Sequence, residues 1–168
     1  FDKPDPLDGP FFEETIYTTP SRLPQGVQEA IARCAGQAAA AIGLVTGPIH
    51  AELRVNEQGP WMLEIAGRSI GGLCGRTLRF DYGGASRSGG AAMSLEELIV
   101  RQACGLPWQA TSPGAGSMSG ASGVMMIPIP EAGQLRGIAG VPEAQGVPGI
   151  EGLEISVALH HTVTPLPE

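Results

Sequence analysis

Two glutamates, Glu52 and Glu64, stand in short runs of alternating polarity at residues 49–56 and 61–66. In the first run Ile49, Ala51, Leu53 and Val55 alternate with His50, Glu52, Arg54 and Asn56. In the second, Trp61, Leu63 and Ile65 alternate with Met62, Glu64 and Ala66. A two-residue period is that of a half-buried strand. The connection Glu57-Gln58-Gly59 reads as a three-residue hairpin loop with glycine in the left-handed position. Pairing across it predicts Asn56 opposite Pro60, Arg54 opposite Met62 and Glu52 opposite Glu64. A one-residue slip would exchange the faces of a strand, and the hydrophobic pattern rejects it. The two carboxylates should then face each other with Cβ atoms roughly 5 Å apart. Like charges so placed destabilise a sheet unless something lies between them. A cation can bridge them, they can share a proton, or both can point into open water. A carboxylate pair with room for waters and phosphate oxygens suits Mg²⁺ (or Mn²⁺). Arg68 follows Glu64 by four residues, and its planar fork suits a phosphate or a carboxylate, although an arginine after a strand is also an ordinary surface residue.

Other side chains are candidates on weaker grounds. His50 shares the predicted face of Glu52 and reads equally well as a polar histidine at a strand end. Arg76 and Arg79 flank a glycine-rich stretch and could hold a substrate carboxylate or be solvated. His160-His161 could bind a metal, Cys74 could be reactive or a buried inert thiol, and residues 83–94 lead into a helix N-terminus that could bind an anion. Gly114-Ala115-Gly116 lacks the third glycine of a dinucleotide fingerprint, and no Gly-Lys-Ser/Thr run marks a phosphate loop.

The elements that must position these groups are legible around them. Residues 11–18 (FFEETIYT) have strand chemistry, bounded by Pro10 and Pro20. Pro24 suits a first helical turn, and Val27, Ile31, Ala35, Ala38 and Ile42 recur near a 3.6-residue period up to Gly43, which predicts a helix over 24–43. Ser94-Leu95-Glu96-Glu97 has capping-box spacing and opens a second helix, closed by Gly105 and Pro107. Residues 111–123 are small and polar, a linker or loop. Beyond them the runs 124–129, 134–141 and 153–162 look like strands separated by Pro/Gly turns. The expected fold class is α+β. An antiparallel sheet carries the two helices over residues 1–110, and a small β-rich subdomain occupies 124–168.

Composition bounds the partners. Ten Lys+Arg against seventeen Asp+Glu give a net charge of −7, which argues against nucleic acid as a partner. Two Trp, two Tyr and four Phe leave little for base stacking. The chain has 25 glycines and 15 prolines, yet 42% of it is hydrophobic and only 16% charged, which is the balance of a folded, loop-rich protein rather than a disordered one. No apolar run is long enough for a membrane span, and three scattered cysteines suit a reducing, cytoplasmic setting. The opening Phe1-Asp2-Lys3-Pro4 has neither a signal-peptide pattern nor an initiating Met, so a piece of a longer protein is expected.

The stretch Leu63-Glu64-Ile65-Ala66-Gly67-Arg68, preceded by Gly47-Pro48-Ile49-His50-Ala51-Glu52-Leu53, resembles the C-terminal catalytic hairpin of the ATP-grasp ligases. Ser69-Ile70-Gly71-Gly72, the helix from Ser94 and the β-rich tail are most similar to the branch with L-amino-acid ligases and biotin-carboxylase-like proteins. The resemblance implies that Glu52 and Glu64 bind Mg²⁺ and the ATP phosphates. It implies that Arg68 contacts the γ-phosphate and an acyl-phosphate intermediate, and that Ser69, Gly71 and Gly72 lie on a substrate-side loop, while His50 and Arg76 are substrate-binding candidates by their position alone. Ala66 stands where the common motif has Asn, so one metal ligand is missing. Glu13 and Glu14 lie in a segment resembling one that reaches the acceptor pocket. The phosphate-gripping lysines and glycine loop of such enzymes precede this region, and Lys3 is the only lysine here.

The implied protein is the C-terminal portion of an ATP-dependent carboxylate–amine ligase. Its substrates would be small carboxylates and amines, its partner the N-terminal half of the same enzyme, with homodimerisation left open and no membrane or nucleic acid involved. The alternatives are a bicarbonate-activating, biotin-carboxylase-like enzyme and a binding domain that kept the scaffold without the chemistry.

Overall fold

A computed structural model describes residues 1–4, 15–80, 92–106 and 120–165. The described chain divides into two compact units, one from Phe1–Asp5 and Ile16–Met125, the other from Pro6–Thr15 and Met126–Glu168. Residues 11–14 of the first expected strand, with Glu13 and Glu14, and most of the 111–123 segment, with Gly114-Ala115-Gly116, lie outside the described residues.

The first unit is mixed helix and antiparallel ladder, as the α+β expectation has it. Strand β1 (Ile16–Thr19) pairs antiparallel with β6 (Ser122–Met125), so β6 starts within the last residues of the 111–123 segment. Hairpin strands β2 (His50–Asn56) and β3 (Gly59–Ala66) form a second ladder, and the two-residue strands β4 (Arg79–Phe80) and β5 (Met93–Ser94) a third. Each sheet among the described residues is two-stranded, where a single sheet was expected.

Helix α1 (Gln25–Ala41) packs against β3. Pro24 takes the N-cap position and its carbonyl accepts from Val27 N–H (2.9 Å) and Gln28 N–H (3.1 Å). At the other end Leu44 N–H donates to Ala39 C=O (2.9 Å) and Gly43 N–H to Ala40 C=O (3.1 Å), a Schellman closure in which Gly43 holds φ +80°. The shielded stripe, Val27, Ile31, Cys34, Ala35 and Ala38, follows the expected period, while Ile42 falls beyond the last turn and is exposed. Helix α3 (Leu95–Ala103) is built likewise. The Ser94 hydroxyl accepts from Glu97 N–H (3.2 Å), and Leu106 N–H closes onto Arg101 C=O (2.8 Å) past Gly105. Short helix α2 (Gly72–Thr77) lies in the glycine-rich stretch, where no element was expected, and packs on α3 and β6. Ala39, Cys74, Met93 and Val124 are the buried apolar residues of the described chain.

The second unit holds β7 (Gly133–Gln134) paired with β8 (Thr162–Val163), and α4 (Val141–Gln145). The strand expected over 153–162 forms only at its last residue. A strand needs a partner backbone along its length, and the ladder here is confined to Leu135, whose N–H donates to His161 C=O (3.0 Å) and whose C=O accepts from His160 N–H (2.7 Å), and its neighbours. Pro142 near the start of α4 pre-sets a helical turn where part of the 134–141 strand was expected to end.

Candidate functional site

The hairpin brings the two glutamates together as expected. Glu52 and Glu64 are direct Cα partners, as are Ala51 with Ile65 and His50 with Ala66. The way it does so differs from the predicted register. The loop is the two residues Glu57-Gln58, Asn56 pairs with Gly59 rather than Pro60, and Arg54 pairs with Trp61 rather than Met62. A register irregularity between Glu52 and Leu53 leaves Leu63 as the extra residue of a bulge. The two departures cancel at Glu52–Glu64, so the carboxylate pair survives. Between turn and bulge they do not cancel. Trp61, expected on the apolar face, shares the face of Arg54 and Glu52, and Met62 faces with Leu53. Consistent with this, Trp61 is 53% exposed and its indole N–H donates to Asn56 Oδ1 (3.1 Å). Asn56 Oδ1 also accepts from Gln58 N–H (2.8 Å) and so shapes the turn, while Gly59 supplies φ +116°. These local bonds explain why the shorter loop wins.

Charges of both signs meet around the pair. The Lys3 ammonium lies 2.8 Å from Glu52 Oε1, with both side chains 27% exposed. Arg68 Nη2 lies 3.6 Å from Glu64 Oε1, and Arg68 Nη1 is 3.4 Å from His50 Nδ1 and donates to Ser69 C=O (3.2 Å). Glu52, Glu64, Arg68 and His50 thus form one cluster, as the sequence placed them. Lys3 joins it from 49 positions away, and no local pattern announces that contact. Its segment is held to β1 by the reciprocal backbone bonds of Asp2 and Thr18 (2.8 and 2.9 Å), and Asp2 Oδ2 accepts from Arg22 N–H (2.8 Å). Lys3 Nζ also stands 5.8 Å from the centroid of the Tyr17 ring. That Lys3 is the sole lysine was the one signal available.

The remaining candidates fall elsewhere. Ser69, Gly71 and Gly72 lead from Arg68 into α2, and Gly72 takes φ +59°, which favours glycine. A Cβ on Gly67 would meet Leu44 Cδ2 at 3.1 Å, so this glycine permits packing onto the residue that closes α1. Arg76 lies in α2, and Arg79 Nη1 donates to its carbonyl (2.7 Å). Hydrogen bonds from its own backbone amide and the Ser94 hydroxyl hold the Glu96 carboxyl below its ordinary range, helped by the charges of Arg79 and Arg76. Cys74 is buried.

The donor chemistry of the hairpin fits a hard divalent cation. Two facing carboxylates offer oxygen ligands on one face, the number Mg²⁺ takes when waters and phosphates complete its shell. Ala66 contributes none. Among the described residues no group of three or more His, Cys, Asp or Glu side chains is placed to hold a metal ion, His160-His161 included.

The hairpin thus carries a facing pair of acids, an arginine and a glycine turn beside a helix. Comparison with known proteins gives it a family context. Residues 1–77 match the model of a family described as an ATP-grasp domain. The crystal structure of an L-amino acid ligase from Bacillus licheniformis is similar, with a TM-score of 0.75 and 24% identity over 95% of this chain. The match takes in 37% of that protein, so the chain spans little more than a third of its length. Comparison with curated protein sequences gives no match. The resemblance to ATP-grasp ligases read from the hairpin is borne out, and nearly all of the chain has the fold of a part of such a ligase. Among the described residues no helix is long and apolar enough to cross a membrane.

Proposed function

We propose that the chain is the C-terminal catalytic portion of an ATP-dependent carboxylate–amine ligase that works with Mg²⁺ through an acyl phosphate. The observation that carries this reading is the facing pair Glu52–Glu64 with Arg68 beside it, on the hairpin of an ATP-grasp fold. Glu52 and Glu64 would hold the divalent cation, which when bound supplies positive charge to the phosphate oxygens. Arg68 stands at the exit of β3, anchored through its bond to Ser69 C=O, with donors to spare for a transferring phosphoryl group. His50 Nδ1 lies against Arg68 and helps fix the orientation of its fork. Carboxylate attack on the γ-phosphorus of ATP would form the acyl phosphate and release ADP. Attack of an amine on the acyl carbon would then form the amide and release phosphate. Ser69, Gly71 and Gly72 carry the backbone from Arg68 into α2 and would border the substrates. The free thiols Cys34, Cys74 and Cys104 suit a reducing, cytoplasmic setting.

The test is ADP release by the full-length protein with Mg²⁺, ATP and pairs of amino acids. Release stimulated by an amino-acid pair and lost in Glu52→Gln supports the reading. Stimulation by bicarbonate instead would transfer the site to the biotin-carboxylase-like alternative. Neither nucleotide binding nor turnover would leave a scaffold without the chemistry.

A further inference from the structure

Lys3 occupies one oxygen of a carboxylate that would hold the divalent cation of the proposed reaction. Its ammonium is 2.8 Å from Glu52 Oε1, a charge-assisted contact, and the segment that carries it is not free to drift. Asp2 exchanges two backbone hydrogen bonds with Thr18 of β1, and its side chain accepts from Arg22 N–H. Beside it, Tyr17 presents a ring to the ammonium at 5.8 Å, and Phe1 packs edge-on against that ring at 6.4 Å. Three neighbouring residues thus serve to bring one charge to one carboxylate oxygen. On the other side of the pair, Arg68 faces Glu64 at 3.6 Å, so each acid has its own cation.

We infer that Lys3 is a built-in counter-ion of the metal-binding carboxylates, which a divalent cation must displace from Glu52 in order to bind. The inference rests on the metal reading above. In the metal-free protein the ammonium offsets the repulsion between Glu52 and Glu64 and keeps the Glu52 carboxylate aimed at the hairpin face. A metal coordinated by Glu52 competes for the same oxygen, and the positive charge already there lowers its affinity. Phosphate oxygens arriving with the metal give the displaced ammonium a new acceptor, so metal bound together with nucleotide escapes most of that penalty. Lys3 would therefore favour the metal–nucleotide complex over the bare metal.

The test is Mn²⁺ binding followed by electron paramagnetic resonance on the full-length protein, with and without nucleotide, for wild type, Lys3→Met, Lys3→Arg and Glu52→Gln. Without nucleotide, Lys3→Met should bind Mn²⁺ tighter by about three- to tenfold, since it removes a partly screened positive charge a few ångströms from the ion. Lys3→Arg keeps the charge and should stay near the wild type. With nucleotide the gain in Lys3→Met should shrink or reverse. Equal or weaker Mn²⁺ binding by Lys3→Met without nucleotide overturns the inference while leaving the metal site in place. Mn²⁺ binding that Glu52→Gln does not alter overturns both. Lys3→Gln, scored against its own thermal unfolding, serves as a second charge-removing variant if Lys3→Met folds poorly.

Discussion

Replacing Glu64 by Gln keeps the shape of the side chain and removes one of two facing negative charges. With the roughly 5 Å Cβ spacing of directly opposed residues taken as the charge separation, the carboxylates repel by roughly 0.8 kcal/mol in a water-like medium and about 3 kcal/mol at an effective dielectric of 20. Glu52 is 27% and Glu64 56% exposed, which puts the pair toward the lower figure. Against that relief stands the lost pair with Arg68, at 3.6 Å with both side chains half exposed and so about 0–1 kcal/mol. The two nearly cancel. Urea unfolding of the metal-free protein should therefore place Glu64→Gln within about 1 kcal/mol of wild type, on the stabilising side if on either. Metal binding should behave oppositely. Loss of one of two carboxylate ligands should weaken Mn²⁺ affinity at least about tenfold, or ~1.4 kcal/mol. A protein that is no less stable but binds metal poorly is the signature of a site held at a cost in charge repulsion. If Glu64→Gln instead lost more than about 2 kcal/mol of stability with unchanged Mn²⁺ affinity, Glu64 would be a structural anchor and the carboxylate-pair reasoning would fail.

Other outcomes follow from the same geometry. Arg68→Lys keeps the charge but loses the fork that spans His50, Ser69 and Glu64, so ADP release by the full-length protein should fall at least about tenfold while Mn²⁺ binding changes little. Gly123→Ala would set a Cβ 2.8 Å from the Tyr17 carbonyl oxygen between β1 and β6, and thermal unfolding should show a loss of about 1–3 kcal/mol. Ser94→Ala removes the acceptor for Glu97 N–H and should cost about 1 kcal/mol in denaturant unfolding. Because the folded state holds the Glu96 carboxyl below its ordinary value, that group stabilises fully above the usual carboxylate range, and its contribution disappears as the pH falls through the lowered value. The pH dependence of unfolding should be flatter in that range for Ser94→Ala, and an unchanged slope would contradict the assignment.

Local chemistry made much of this protein legible from its residues. The α1 and α3 helices follow from apolar spacing, from Ser94 as a cap and from Gly43 and Gly105 at left-handed closures, all features that act within a few residues. The facing of Glu52 and Glu64 followed from alternation and a glycine turn, and the hairpin confirms it. The loop length did not follow, because Asn56 bonds to both Gln58 and Trp61 and favours the tighter turn, with the bulge at Leu63 absorbing the difference. Periodicity sees one strand at a time, and a bulge is a property of two. The run 153–162 misled for the same reason: it has strand chemistry and little to pair with.

The sequence by itself determined the acids and the arginine of the site, since a strand's two-residue period and a short turn suffice to bring Glu52, Glu64, Arg68 and His50 to one hairpin. Only the tertiary structure decided their electrostatic setting. Lys3 reaches Glu52 because Asp2 pairs with Thr18, a contact between segments that no pattern within either one encodes. Charge pairing depends on distance in space, which falls off independently of distance along the chain. The carboxylates and Arg68 were readable as residues, but the Lys3 counter-ion of Glu52 was readable only once the fold had brought it within 4 Å.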